Sequence, residues 1–424
     1  MTKHIYNYLI LPISLVCALF IFSCQDDKEE NTRIKSVRVP IKSKQTLLMY
    51  MPWSGNLKPY FDINIADMEE AISDGILENE RVLVLLSNSE TEASLFELFY
   101  DKKEGICNKN IVKEYINHNF TTPEGIADIL NKVKEYAPSN IYSMTIGGHG
   151  MGWIPVDKPK EEPNTETDIQ ANKIPYTVPK YHWEVQGEYL TRYFGGTSSN
   201  HQTDIKTLAE GIEMAGIHME YILFDDCYMS NIEVAYDLRH VTNHLIASTS
   251  EVMAYGMPYR DMAIHLLGNI DYEGISQAFY DFYMDYSMPC GTIAMTVTSE
   301  LDNLATLMRE INNSFVWDSS KNNTLQYLDG YSPHLFYDYG DYVSKLCTDS
   351  ILLTKFNEQL ELTVPSSCSK HTPTFYSMFN GRQTIIRSFS GVTISDPSTN
   401  RMAESKTETD WYKATHPNPI LEEY

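Results

Sequence analysis

The chain predicts an α/β fold, a mainly parallel sheet with helices on both faces, followed by a less regular C-terminal region. Three observations predict it. Short runs rich in apolar residues recur at 46–51, 81–87, 140–146, 221–224, 244–250 and 292–298, mostly without the alternation of a half-solvated strand, as buried parallel strands require. Segments with helical spacing separate most of these runs. No internal repeat, Walker-type loop or GxGxxG interrupts the pattern.

Taken in order, residues 46–51 (TLLMYM) form the first strand, and Trp53-Ser54-Gly55-Asn56-Leu57 turns the chain. Ile63, Ala66, Met68, Ala71 and Ile72 mark a helix; 81–87 is the next buried strand and 94–100 a more amphipathic one. Thr122-Pro123-Glu124 opens a helix running to about 136, with proline just inside the start, where its missing N–H costs nothing. The strand at 140–146 runs into Gly147-Gly148-His149-Gly150-Met151-Gly152-Trp153. From 155 to 200 the composition becomes charged and proline-bearing, which reads as an exposed loop insertion. A helix over 203–215, the strand at 221–224, a helix from near Met229, the strand at 244–250, helices over 259–267 and 272–286, the strand at 292–298 and a helix to about 315 complete the alternation. Beyond 317 the pattern weakens to strand candidates at 384–389 and 391–395 and an aromatic cluster at Trp411 and Tyr412. The organisation is therefore a leader (1–23), a tether (24–44), a core (45–316) and a C-terminal region (317–424) that either completes the core's domain or is appended to it.

The leader begins with one lysine, Lys3, and continues as a mostly apolar run to Ser23, the layout of a secretory signal. Ile21-Phe22-Ser23-Cys24 resembles the lipobox of bacterial lipoproteins, in which Cys24 is lipidated after cleavage. The polar and acidic residues that follow, 25–31, look like the export tether seen in Bacteroidetes lipoproteins. An uncleaved single-pass anchor is the competing reading; both place the body outside the cytoplasm, at an outer membrane surface or in the periplasm. The formal net charge of −24 argues against nucleic-acid binding, which needs a basic face, and is compatible with basic peptide substrates. Cys107, Cys227, Cys290, Cys347 and Cys368 remain after the leader and Cys24, an odd number with no CxxC pair, so neither a disulfide framework nor a zinc ribbon is expected.

Two strand ends stand out. One carries Gly148-His149-Gly150, the next strand in the alternation Asp225-Asp226-Cys227. In a parallel sheet both ends lie on one edge, so neighbouring strands would bring an imidazole and a thiol together. That pair suffices for nucleophilic catalysis: histidine takes the thiol proton, and the thiolate attacks a carbonyl carbon. The N–H groups of Gly150 and Cys227 could then face the developing oxyanion, and a helix starting after Cys227 would favour the thiolate. The residues alone leave a buried core cysteine equally open.

These two motifs, with 47–51, 248–259 and Ser390-Gly391-Val392, resemble the clostripain family of cysteine peptidases across most of 45–415. The resemblance implies a caspase-like fold, a dyad of His149 and Cys227, and cleavage after arginine or lysine. Asp225 matches an acid that helps bind the substrate's basic side chain; capping of the following helix is the other reading for it, and the favoured one for Asp226. The second pocket acid of relatives has no aspartate counterpart in Glu251-Val252-Met253-Ala254-Tyr255-Gly256, leaving Glu251, with Ser248 nearby, as pocket candidates. The Asp-Asn usual after the first strand is replaced by Trp53-Ser54-Gly55-Asn56. Relatives often cut themselves between the two motifs, for which Lys158, Lys160, Lys173 and Lys180 are available; a plain surface insertion is the alternative. Some members depend on calcium, but no calcium loop of the EF-hand kind is present, and no metal or other cofactor is expected. A binding lipoprotein without turnover and an amidase of cell-wall peptides are the competing functions.

Overall fold

The apolar runs pair side by side into one sheet, seen in a computed structural model that describes residues 42–53, 55–156 and 201–416. The leader, Cys24, most of the tether, and Lys158, Lys160, Lys173 and Lys180 lie outside the described residues. Strands β1 (Ser43–Met51), β2 (Glu80–Ser87), β3 (Glu92–Asp101), β4 (Ile106–Ile116), β5 (Ser139–Gly147), β6 (Met219–Asp225), β7 (Thr242–Ala247) and β8 (Thr292–Val297) belong to the sheet. So does β10 (Ser369–His371), which follows the short β9 (Tyr337–Asp338). The order is β10-β8-β7-β6-β5-β1-β2-β3-β4. β7, β6, β5, β1 and β2 run parallel, and antiparallel strands finish both edges.

The chain leaves β1 towards β2 but leaves β5 in the opposite direction, through β6 to β7. Right-handed crossovers in opposite directions put their helices on opposite faces. Accordingly α1 (Lys58–Ser73) packs with α5 (Tyr259–Leu266), which packs with α6 (Tyr272–Met284). Opposite, α2 (Pro123–Tyr136) packs on α3 (Ile205–Met214) and α3 on α4 (Ile232–Leu238). The parallel strands are almost wholly buried, as a doubly covered sheet demands; Leu47, Met49, Val82, Leu83, Val84, Tyr221, Ile222 and Leu223 are all at 0 % exposure. Helix α2 starts as its sequence predicts, with Thr122 accepting from the Gly125 N–H.

Several elements differ from the sequence expectation. Strand β4, absent from it, is an edge strand whose Lys109, Asn110, Lys113 and Glu114 break the apolar signal, and edges favour such residues because they deter pairing with other chains. After α7 (Leu301–Ser314) the C-terminal region is more regular than expected: it holds α8 (Tyr339–Leu346) and α9 (Ser350–Thr363) and supplies β10 to the sheet. In α9 the buried face Leu352, Phe356, Leu360, Thr363 is helical in period, but Ile351 and Leu362, 71 % and 59 % exposed, blur it in sequence. The candidate at 384–389 is paired only within β12 (Arg382–Ile385), against β11 (Thr374–Ser377), because the next N–H groups go to Pro373 O and Gln326 Oε1. Only β13 (Thr393–Ile394) of 391–395 is strand, pairing with β9, and α10 (Asp410–Thr415) buries Trp411. No helix among the described residues is long and apolar enough to cross a membrane.

Candidate active site

β1 lies between β2 and β5, where the order of strands reverses, and clefts outside the carboxyl ends of strands at such a point are where open α/β sheets bind ligands. Asn56, His149 and Cys227 all follow those ends. Gly147 of β5 is in register with Asp225 of β6, so His149 and Cys227, each two residues further on, leave the sheet level with each other. Adjacent strands are about 4.8 Å apart, which brings the two turns into contact.

That contact explains the glycines. A Cβ on Gly150 would lie 2.1 Å from Cys227 O, 2.7 Å from Cys227 N and 2.9 Å from Asp226 Cβ, so only glycine lets the histidine turn rest on the cysteine's backbone. Gly148 sits under the Trp53 ring, with its would-be Cβ 3.1 Å from Trp53 Cε3. The imidazole is 3 % exposed, and its Nε2 lies 3.0 Å from Asn56 Oδ1. An amide oxygen accepts only, so the ring carries its proton on Nε2 and Nδ1 is the basic nitrogen. Asn56 belongs to the turn read from sequence only as a departure from the family pattern; an asparagine at a parallel strand's end was the available signal.

Cys227 is fully buried, and its Sγ accepts from the Val252 N–H at 3.3 Å. The expected helix at Met229 begins only at Ile232, capped by Asn231, whose Oδ1 accepts from the Val234 N–H at 3.0 Å. Neither Asp225 nor Asp226 is that cap, and the helix dipole, which fades within one turn, does not reach the thiol. Residues 228–230 instead pair with the chain beyond β7: Tyr228 N donates to Ser250 O and Ser230 N to Ser248 O. Tyr228 adopts φ +60°, costly for a bulky side chain and found where surrounding contacts over-determine it. Those contacts are a stacked Phe336 ring at 5.0 Å and a hydrogen bond from its hydroxyl to Glu251 Oε1 at 2.6 Å.

The remaining candidates separate. Asp225, at the end of β6, is fully buried, with Oδ1 accepting from the Met257 N–H at 2.9 Å. The 252–257 loop is further held by Asn64 Nδ2 on Tyr255 O and by Tyr283 Oη on Gly256 O, two positions sequence reasoning missed. A buried polar residue on the apolar face of α1 was the signal for Asn64. Glu251 accepts from Tyr228 and Ser377 hydroxyls and from the Met378 N–H, so it ties the cysteine turn to the 377–378 turn. Ser248 is buried in a hydroxyl cluster with Thr292, 2.8 Å away. Behind the site, Trp153 Nε1 donates to Ser395 Oγ and the Ser395 N–H to Glu233 Oε1, clasping the histidine turn to α4.

Cys107, Cys290, Cys347 and Cys368 are also free thiols, and burial raises all four, to about 11 for Cys107 and about 12 for Cys290, holding them protonated at neutral pH. Among the described residues no group of three or more His, Cys, Asp or Glu could hold a metal ion.

A thiol and an imidazole on adjoining strand ends of a switch-point sheet define the layout of a cysteine hydrolase. Comparison with known proteins specifies the class. The Clostripain family model matches residues 182–408, and the chain belongs to that family of cysteine peptidases. Among solved structures, a secreted cysteine protease from Bacteroides thetaiotaomicron, iotapain, is 51 % identical over 89 % of this chain and 100 % of its own, with a TM-score of 0.78. A clostripain from the same organism, in complex with the peptide inhibitor BTN-VLTK-AOMK, is 60 % identical over 53 % of this chain and 100 % of its own, with a TM-score of 0.52. An inactive zymogen protease from Parabacteroides distasonis, 24 % identical over 89 % of this chain and 100 % of its own, shares the fold with a TM-score of 0.70. No curated protein matches. The expected caspase-like α/β fold and the cysteine peptidase class are thus borne out.

Proposed function

We propose that the protein is an extracytoplasmic, lipid-anchored endopeptidase that cuts peptides after arginine or lysine, with Cys227 as nucleophile and His149 as base. The observation that carries the reading is the Gly147–Asp225 register, which sets the backbone turns of His149 and Cys227 side by side. The Cys227 thiol passes its proton to His149 Nδ1 while Asn56 keeps Nε2–H oriented, and the thiolate attacks the scissile carbonyl carbon. The N–H groups of Cys227 and Gly150 receive the oxyanion. The carbonyl re-forms as the C–N bond breaks, and the amine leaves with the proton from His149. Water, deprotonated by His149, then hydrolyses the thioester and restores the thiol.

Asp225 reads the basic side chain: its carboxylate is buried next to the dyad, where a guanidinium or ammonium pairs strongly. The peptide part of the inhibitor bound by the 60 %-identical relative, VLTK, ends in lysine, in keeping with this. Glu251, already holding three donors, supports the pocket rather than facing substrate. Secretion of iotapain agrees with an extracytoplasmic site, and Cys24 would carry the lipid. The net charge of −24 draws basic peptides in. Self-cutting at Lys158, Lys160, Lys173 or Lys180 belongs to the same reading; a shorter intact mass for wild type than for Cys227→Ala is the expected sign, and an identical mass would remove it.

The decisive experiment is a fluorogenic panel with arginine, lysine or neutral residues before the cut, run with wild type and Cys227→Ala under reducing conditions. Turnover of the basic members alone, lost in Cys227→Ala, is expected; turnover surviving that substitution would end the mechanism. The steps need no metal, so EGTA should leave the rate unchanged.

A further inference from the structure

Next to the dyad the structure holds a cavity of about 580 Å³ that the mechanism does not use. Met151, Ile154, Tyr331, Met378, Phe379 and Met402 line it, and among the described residues no charged side chain does. Both catalytic turns build its walls. Met151 is two residues beyond His149, and its sulfur accepts from the Tyr331 hydroxyl at 3.1 Å. Tyr331 in turn packs on Tyr228, which follows Cys227, with ring centroids 6.1 Å apart. Phe379 packs on Tyr331 at 4.3 Å, and the backbone of Met378 is held by Glu251, the carboxylate that also holds Tyr228. Met378, Phe379 and Met402 are 38 %, 47 % and 39 % exposed.

Solvent-facing apolar groups of this size in one concavity mark a binding site, and the volume lies within the range of ligand clefts. The occupant follows from position. Asp225 bonds to the 252–257 loop beyond β7, whereas the cavity opens on the 151–156 side beyond β5, with Cys227 between them. A peptide whose basic side chain reaches Asp225 has neighbouring residues that pass the other side of the thiol. We propose that this cavity is a specificity subsite for an apolar side chain of the peptide substrate, adjacent or nearly adjacent to the basic residue. The inference rests on the peptidase reading above.

The test is a peptide library with lysine fixed and leucine or serine placed in turn at each of the flanking positions on both sides, scored as the ratio of kcat/KM for the two. Burying one leucine side chain is worth about ten- to a hundredfold, so wild type should prefer leucine by that factor at one position. Phe379→Ser and Met402→Asp come from separate walls at partly exposed positions, so a folding failure in one leaves the other informative. Each should bring the ratio close to one, with the change in KM rather than kcat. Cleavage after lysine with no leucine preference at any position, or a preference untouched by both variants, would overturn the subsite and leave the peptidase reading standing. Absence of cleavage after any basic residue would instead remove the arginine/lysine specificity on which the subsite's placement rests. Hydroxyl-radical footprinting supplies a second readout: Met378 and Met402 should oxidise readily in the free protein and be protected by a bound peptide inhibitor. Protection already complete in the free protein would place another part of this chain in the cavity and overturn the proposal.

Discussion

Gly150→Ala is the sharpest perturbation of the site, because it adds one methyl group where backbone stands on the other side. The new Cβ would meet Cys227 O at 2.1 Å and Cys227 N at 2.7 Å, neither of which can swing away as a side-chain tip could. Restoring an ordinary contact needs a retreat of about 1 Å between the two turns. A misplacement of that size costs on the order of a hundredfold in rate, about 2.7 kcal/mol of transition-state stabilisation. The displaced groups include the proposed oxyanion donors, so the loss should fall on kcat more than on KM. The assay is kcat/KM on a lysine substrate, with far-UV circular dichroism and Tm to confirm the fold and thiol alkylation to count reactive Cys227. Activity within threefold of wild type would refute the idea that close backbone contact between the turns sets the geometry.

Asn56→Ala should lower kcat about tenfold to a hundredfold and shift the acidic limb of the kcat/KM–pH profile, with Asn56→Asp restoring part of the rate; an unmoved profile would deny it a role in setting the imidazole proton. Glu251→Ala leaves the hydroxyls of Tyr228 and Ser377 and the Met378 N–H without their acceptor, each worth about 1–3 kcal/mol when buried, so Tm and kcat/KM should fall together, and a stable variant would count against it. Burial, and next the Asp396 carboxylate, raise Glu233 from 4.5 to about 8, so the folded state holds a proton there that the unfolded chain has lost. Stability contributed by this group is therefore present below pH 4.5, declines as pH rises towards 8 and levels off above. Glu233→Gln keeps an oxygen for the Ser395 N–H and should raise Tm by about 2 °C or more at pH 8 with little change at pH 5, as read by differential scanning fluorimetry; an equal change at both would refute this.

The parallel core was legible because every strand in it is buried on both faces, so residues 46–51 or 221–224 read as unbroken apolar runs. β4 was not, because an edge strand exposes one side and carries the polar residues that protect it. The nearness of the His149 and Cys227 turns was legible because strand ends in a parallel sheet share an edge, which makes it a matter of topology. What holds the two turns was far less legible. Asn56 acts from a third strand, Val252 through its backbone, and Glu251 through partners more than a hundred residues away at 377 and 378. Only Asn56 leaves a local trace, as an asparagine at a parallel strand's end; the other two leave none. The misplaced helix start at Met229 has the same origin: Tyr228 through Ser230 suit a helix locally, and pairing with 248–250 overrides that preference.

The order of strands also bears on how the two halves of the chain depend on each other. The described residues up to Val156 supply β1 to β5, with Asn56 and His149; those from His201 supply β6 onward, with Cys227. The seam between them is internal and includes the β5–β6 ladder, the packing of α2 on α3 and that of α1 on α5. A single cut between the halves would therefore give two pieces that behave as complementing fragments, migrating as one species under native conditions and as two after denaturation. Neither piece alone would hold both a thiol and an imidazole at the site, so activity would follow their reassociation and vary with the concentration of each.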